Sequence, residues 1–221
     1  MFKDRVEAGE KLAEAVAAKG PFENPIVLAL PRGGVPVAYE VARRIKAPLD
    51  VIIVRKLGAP FNEEFAIGAL VEGNPERVLL NEEAVYRLGV DKSYLDQVVA
   101  REREELHRRQ KLYRGSQNPL EHLEGKSVIL IDDGIATGYT MKAALAAIRE
   151  QNPATIVVAV PVAPQDTLPE MERLADRVVV LETPEPFWAV GAHYERFDQT
   201  SDEEVIDLLE KAKSELGEEE K

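Results

Sequence analysis

Residues 128–140 read Val128-Ile129-Leu130-Ile131-Asp132-Asp133-Gly134-Ile135-Ala136-Thr137-Gly138-Tyr139-Thr140, or VILIDDGIATGYT. Four branched aliphatic residues in a row have the composition of a strand covered on both faces. Two carboxylates follow at once, and then a turn of small and hydroxyl-bearing residues. Folding alone requires neither feature, and Asp-Asp-Gly taken by itself reads as a simple turn. The whole string says more. In an open α/β sheet the ligand crevice lies beyond the carboxyl ends of the strands, and Asp132 and Asp133 stand at such an end.

The helix expected from about Tyr139 to Arg149 leaves its first amides without intrahelical partners, at the positive end of the helix dipole. Ala136, Thr137, Gly138, Tyr139 and Thr140 therefore form a candidate anion site. Gly138 lets the backbone approach a phosphate closely, and the two threonine hydroxyls add donors. Acids beside an anion site suit a molecule with vicinal hydroxyls in its middle and a phosphate at one end, as in ribose 5-phosphate.

The same strand-and-helix alternation extends outward in both directions. Upstream, Ile26 to Leu30 (IVLAL) reads as a strand, GGVPVAYEVARRIK as a glycine turn and helix, and Asp50 to Arg55 (DVIIVR) as a second strand. Downstream come TIVVAV (Thr155 to Val160), a helix near Thr167 to Leu174, and RVVVLE (Arg177 to Glu182). The expectation is an α/β fold of three layers, with a central parallel sheet of about five strands between helices and a cap or hood elaboration. Before the first strand, a helix within residues 3 to 19 carries Val6, Leu12, Ala13, Val16 and Ala17 on one face and stops at Gly20-Pro21.

Phe65 to Val71 and Arg77 to Leu80, joined by EGNPE, interrupt the alternation as a short antiparallel excursion. Lys92 to about Arg114 reads as one long charged helix with an incomplete apolar stripe of Leu95, Val98, Val99, Leu106 and Tyr113; its mixed charges are expected to be solvated. At the C-terminus Ser201 and Glu204 form a capping box, and GEEEK is expected to fray. The chain is read as one domain, with a core of about 22–182, an elaboration of about 61–118, and a hood with a C-terminal helix over about 183–221.

The 221 residues carry a formal charge of −12, 45% hydrophobic residues and no cysteine. That charge argues against nucleic acid as a partner, and the absence of cysteine removes disulfides and thiolate metal sites. No apolar run is long enough for a membrane span or a signal peptide, so a cytoplasmic location is expected. His107, His122 and His193 show no ligand spacing and are read as structural or surface residues.

VILIDDGIATGYT resembles the thirteen-residue PRPP-binding signature of type I phosphoribosyltransferases, PRPP being 5-phosphoribosyl-1-pyrophosphate. The resemblance gives Asp132 and Asp133 the ribose hydroxyls and Ala136 to Thr140 the 5-phosphate. ALPRGGVPVA resembles the family's diphosphate loop, so Pro31, Arg32, Gly33 and Gly34 would bind diphosphate, with a cis peptide at Pro31-Arg32. VRKLGAPFNEEFAIGAL matches a third element: Arg55 and Lys56 would stabilise the leaving diphosphate, and Gly58 to Glu64 resembles the mobile loop that closes over the site.

The implied reaction transfers the 5-phosphoribosyl group from PRPP to a nitrogenous acceptor, a nucleobase among the candidates, with Mg²⁺ as cofactor and release of diphosphate. No side chain is assigned as a direct metal ligand; Asp132 or Asp133 would reach the ion through water. EPFWAVGAHYERF (Glu185 to Phe197) resembles a purine-salvage hood, which offers Phe187, Trp188 and Tyr194 to the acceptor. Ala136 stands where purine-salvage members often carry a general base, and RVVVLETP lacks the lysine that reads a 6-oxopurine. A homo-oligomer is left open. The rival is a non-catalytic PRPP- or nucleotide-binding regulator on the same fold; Arg32, Arg55 and Lys56 favour the enzyme. A phosphatase with Asp132 as nucleophile would want a second acid at Gly134.

Overall fold

The computed structural model describes residues 1–115 and 122–217. The first half of the chain runs α1 (Arg5–Ala17), β1 (Pro25–Ala29), α2 (Gly34–Ile45), β2 (Leu49–Val51), β3 (Val54–Gly58), β4 (Ala66–Val71) and β5 (Arg77–Leu80). Two helices follow, α3 (Glu82–Arg87) and α4 (Lys92–Arg114). The second half runs β6 (Ser127–Ile131), α5 (Tyr139–Arg149), β7 (Thr155–Val162), α6 (Leu168–Leu174), β8 (Arg177–Glu182) and α7 (Asp202–Gly217).

Five parallel strands form the central sheet in the order β2-β1-β6-β7-β8, as the apolar runs led us to expect. The chain grows to one side from β1 and to the other from β6, so the order reverses between these two strands. That reversal opens the crevice at their carboxyl ends, where Pro31 to Gly34 and Asp132-Asp133 emerge.

The continuous apolar runs serve two cores at once. Val27, Ala29, Ile129, Ile131 and Val157 join Leu12, Val16, Val35 and Leu106 on one face. Ile26, Leu28, Val128, Leu130 and Val158 join Met141, Leu145, Ile148 and Met171 on the other. Each such aliphatic side chain contributes about 1.5–3 kcal/mol of burial. Helix α1 adds Leu12, Ala13 and Val16 to the first core.

Three expectations are corrected. DVIIVR is not one strand: the central sheet keeps Leu49–Val51, and β3 starts at Val54 in a separate antiparallel sheet, β3-β4-β5. Ile52 still donates to the Ala29 carbonyl at 3.0 Å, whereas the Ile53 amide turns to the buried carboxylate of Glu72 at 2.8 Å. On α1, Val6 is half-exposed and Ala8 and Gly9 take its place, because Gly9 lets α2 approach closely; a Cβ there would lie 3.0 Å from the Val37 carbonyl. The charges of α4 are partly turned inward: Glu102 accepts from Arg55, and Arg109 and the side chain of Arg114 are buried.

The capping box is present. The Ser201 amide donates to Glu204 Oε2 at 2.7 Å, and the Glu204 amide donates to Ser201 Oγ at 3.1 Å. The expected fraying of residues 218–221 and the stretch 116–118 of the elaboration lie outside the described residues.

Candidate active site

The acid pair and the glycine loop meet at the crevice. The Pro31-Arg32 peptide is cis. Gly33 and Gly34, at the start of α2, press against the acids: a Cβ on Gly33 would stand 2.2 Å from Asp133 Oδ2, and one on Gly34 would stand 3.2 Å from Asp132 Oδ1. Asp132 Oδ1 accepts from the amide of Asp133 at 2.8 Å, the local turn that points its carboxyl across the strand end. Burial, and then the neighbouring Asp133 carboxylate, push the Asp132 carboxyl well above the usual range. Burial also raises Asp133, against the opposing pull of the Arg5 guanidinium.

Gly138 precedes α5 with φ +86°, a left-handed conformation that suits glycine, and no side chain caps the helix. The first amides of α5 are therefore available to an anion, with Ala136 and Thr137 exposed just ahead of them. Tyr139 directs its ring elsewhere: its hydroxyl accepts from the Asn81 amide, and Lys142 Nζ lies 4.9 Å from its ring centre. Only the backbone of Tyr139 is left for the anion site.

The cations differ in their settings. Arg32 Nη1 stands 3.8 Å from Asp202 at the start of α7, which also takes Arg108 at 3.1 Å and the Tyr113 hydroxyl. Arg55 is paired with Glu102 of α4 at 2.8 Å, and Lys56 with Glu64 at 3.0 Å. Successive side chains of a strand point to opposite faces, and Arg55 and Lys56 leave β3 toward different carboxylates, one on α4 and one on the loop after β3. Gly58 allows the loop after β3 to return tightly, since a Cβ there would meet the Glu63 carbonyl at 2.5 Å.

A cavity of about 820 Å³ adjoins Ala136 and Thr137 and is walled by Asp166, Glu185, Phe187 and Trp188 among others. Phe187 stacks on His193 at 5.1 Å, and Trp188 is 83% exposed. Tyr194 does not line this cavity. Its ring is buried between Phe2 (5.6 Å) and Phe197 (5.0 Å), and its hydroxyl donates to the Asp133 carbonyl at 2.6 Å. The aromatic was legible in the sequence; its direction was not. The N-terminal residues went unread for the same reason. Phe2 pairs with Tyr194 through a backbone bridge, and Arg5 reaches Asp133, yet nothing in a run of mixed charges marks one arginine from the next.

An open parallel sheet, with paired acids and an uncapped helix start at its switch point, defines a class of α/β proteins that bind phosphorylated ligands at strand ends. A family model described as the phosphoribosyl transferase domain matches residues 3–196, and the chain belongs to that family. Two curated relatives from two strains of Mycobacterium tuberculosis, each provisionally named a phosphoribosyl transferase, are 42% identical over 218 residues, covering 99% of this chain and 48% of their own. The chain thus spans about half the length of the curated relatives it matches. A crystal structure from Thermus thermophilus is 45% identical, with a TM-score of 0.75, covering 94% of this chain and 97% of that one. Among the described residues, no helix is long and apolar enough to cross a membrane.

Proposed function

We propose that the protein is a Mg²⁺- and PRPP-dependent phosphoribosyltransferase, acting in the cytoplasm on a small nitrogenous acceptor. The observation that carries this reading is the contact between the glycine loop and the acid pair. Gly33 leaves no room for a side chain beside Asp133 Oδ2, so the glycine loop lies against the acid pair, and the chain runs on from those acids to the uncapped start of α5. A sugar carrying a diphosphate at C1 and a phosphate at C5 spans that arrangement, its hydroxyls held by Asp132 and Asp133.

The acids suit the metal. Magnesium keeps several waters and binds largely through substrate oxygens, so Asp132 or Asp133 would reach the ion through water. When bound, the ion would neutralise charge on the diphosphate. The chain's own residues do the remainder. Amides of residues 136–140 would hold the 5-phosphate, Arg32 would draw the diphosphate, and Arg55 or Lys56 would exchange a protein carboxylate for it. The C1–O bond breaks with its electrons going to diphosphate, and a C1–N bond forms to the acceptor. Ala136 offers no base, so the acceptor's proton leaves to solvent or to the departing diphosphate.

The cavity beside Trp188 suits a planar acceptor. The charged residues that line it, Asp166 and Glu185, are both acids. A carboxylated acceptor would meet no cation there, whereas a base with exocyclic amino groups would meet acceptors for its N–H groups. The test incubates the protein with PRPP, Mg²⁺ and a panel of amino-bearing, oxo and carboxylated bases, and measures diphosphate. Base-dependent release that disappears in Asp133→Asn is expected. Tight PRPP binding without turnover across the panel would favour the regulator instead.

A further inference from the structure

Asp133 is gripped from outside the signature. Arg5, in the first turn of α1, donates Nε–H to Asp133 Oδ2 at 2.9 Å, and the two side chains are only 12% and 14% exposed. The same guanidinium donates from Nη1 to the Asp198 carbonyl at 2.6 Å and lies 4.0 Å from the centre of the Phe197 ring. A planar group fixed on three sides sets the direction of the carboxylate it holds as well as its charge. Asp133 is tied a second time, through its backbone carbonyl, to Tyr194.

Resting on the PRPP reading above, we propose that Arg5 is a positioning residue for the acid pair. It fixes the direction of the Asp133 side chain toward a ribose hydroxyl and links that grip to the hood through Phe197 and Asp198.

The test uses the full chain with Arg5→Met, Arg5→Lys and a control, Arg196→Ala. The control cuts the Arg196–Asp4 ion pair (2.5 Å), which joins the same two segments without touching Asp133. Mg²⁺–PRPP binding is measured by calorimetry at one neutral pH, and thermal midpoints are recorded for each variant.

In Arg5→Met, Mg²⁺–PRPP affinity should fall about tenfold, while the thermal midpoint falls no further than that of Arg196→Ala. Arg5→Lys should restore part of the affinity, and Arg196→Ala should keep it. An unchanged affinity in Arg5→Met, or an equal loss in Arg196→Ala, overturns the positioning role. A wild type that binds no Mg²⁺–PRPP overturns instead the sugar-phosphate reading and with it the ribose role given to Arg5.

Discussion

Gly33 and Asp133 meet where a side chain on the first would strike the second: an added Cβ would lie 2.2 Å from Asp133 Oδ2. The φ of Gly33, −62°, is open to any residue, so the requirement is for space alone. Gly33→Ala should therefore displace the acid or the loop. We expect PRPP affinity to fall by about tenfold or more, against a stability cost of about 1–3 kcal/mol from overpacking. Calorimetry and urea unfolding on the same preparation check both.

Trp188 is the single tryptophan of the chain and stands 83% exposed at the cavity mouth. An acceptor that stacks there should quench and shift its emission in the presence of PRPP. Trp188→Ala should raise the acceptor KM by the equivalent of about 1–3 kcal/mol while leaving PRPP affinity unchanged. Steady-state kinetics with the acceptor varied at saturating PRPP will show it.

Glu72 is fully buried and accepts from the Ile53 amide and Gln110 Nε2, both at 2.8 Å, and from Arg114. It holds the point where the chain leaves the central sheet for the antiparallel one. Glu72→Ala strips partners from a buried guanidinium and a buried amide, and should cost about 3–5 kcal/mol in urea unfolding. Glu72→Gln, which keeps an acceptor oxygen, should cost less.

Asp50 sits 3.5 Å from Arg114, and burial, opposed by that guanidinium, pushes its carboxyl up to about 6. A carboxyl with a raised folded-state value binds more protons folded than unfolded over this window. Its stabilising share is present below the ordinary value near 4 and is lost as pH rises through 6. Wild-type stability should thus decline, relative to Asp50→Asn, between about pH 4 and 6. Unfolding curves of the two proteins at half-unit intervals measure the slope.

The sheet and its acid pair were legible because strand runs such as Val128 to Ile131 are local signals, and the turn after Asp133 follows from adjacent residues. Contacts made at long range were not. Ile52 and Ile53 look alike in sequence, and only Glu72, nineteen residues on, separates the strand they end from the one they begin. Arg5 and Tyr194 reach Asp133 across 128 and 61 residues, with no period or spacing to announce them. The charged stripe of α4 misled for a related reason: Glu102 and Arg114 are surface-like by type, and become inward only because Arg55 and Glu72 stand opposite.

The seam between β1 and β6 joins stretches of chain about a hundred residues apart. One piece brings the glycines and the other brings the carboxylates and the uncapped helix. Two separately expressed fragments, each with its own half, would share a ligand that neither retains unaided, and the sugar phosphate would act as the clamp that favours their reassembly.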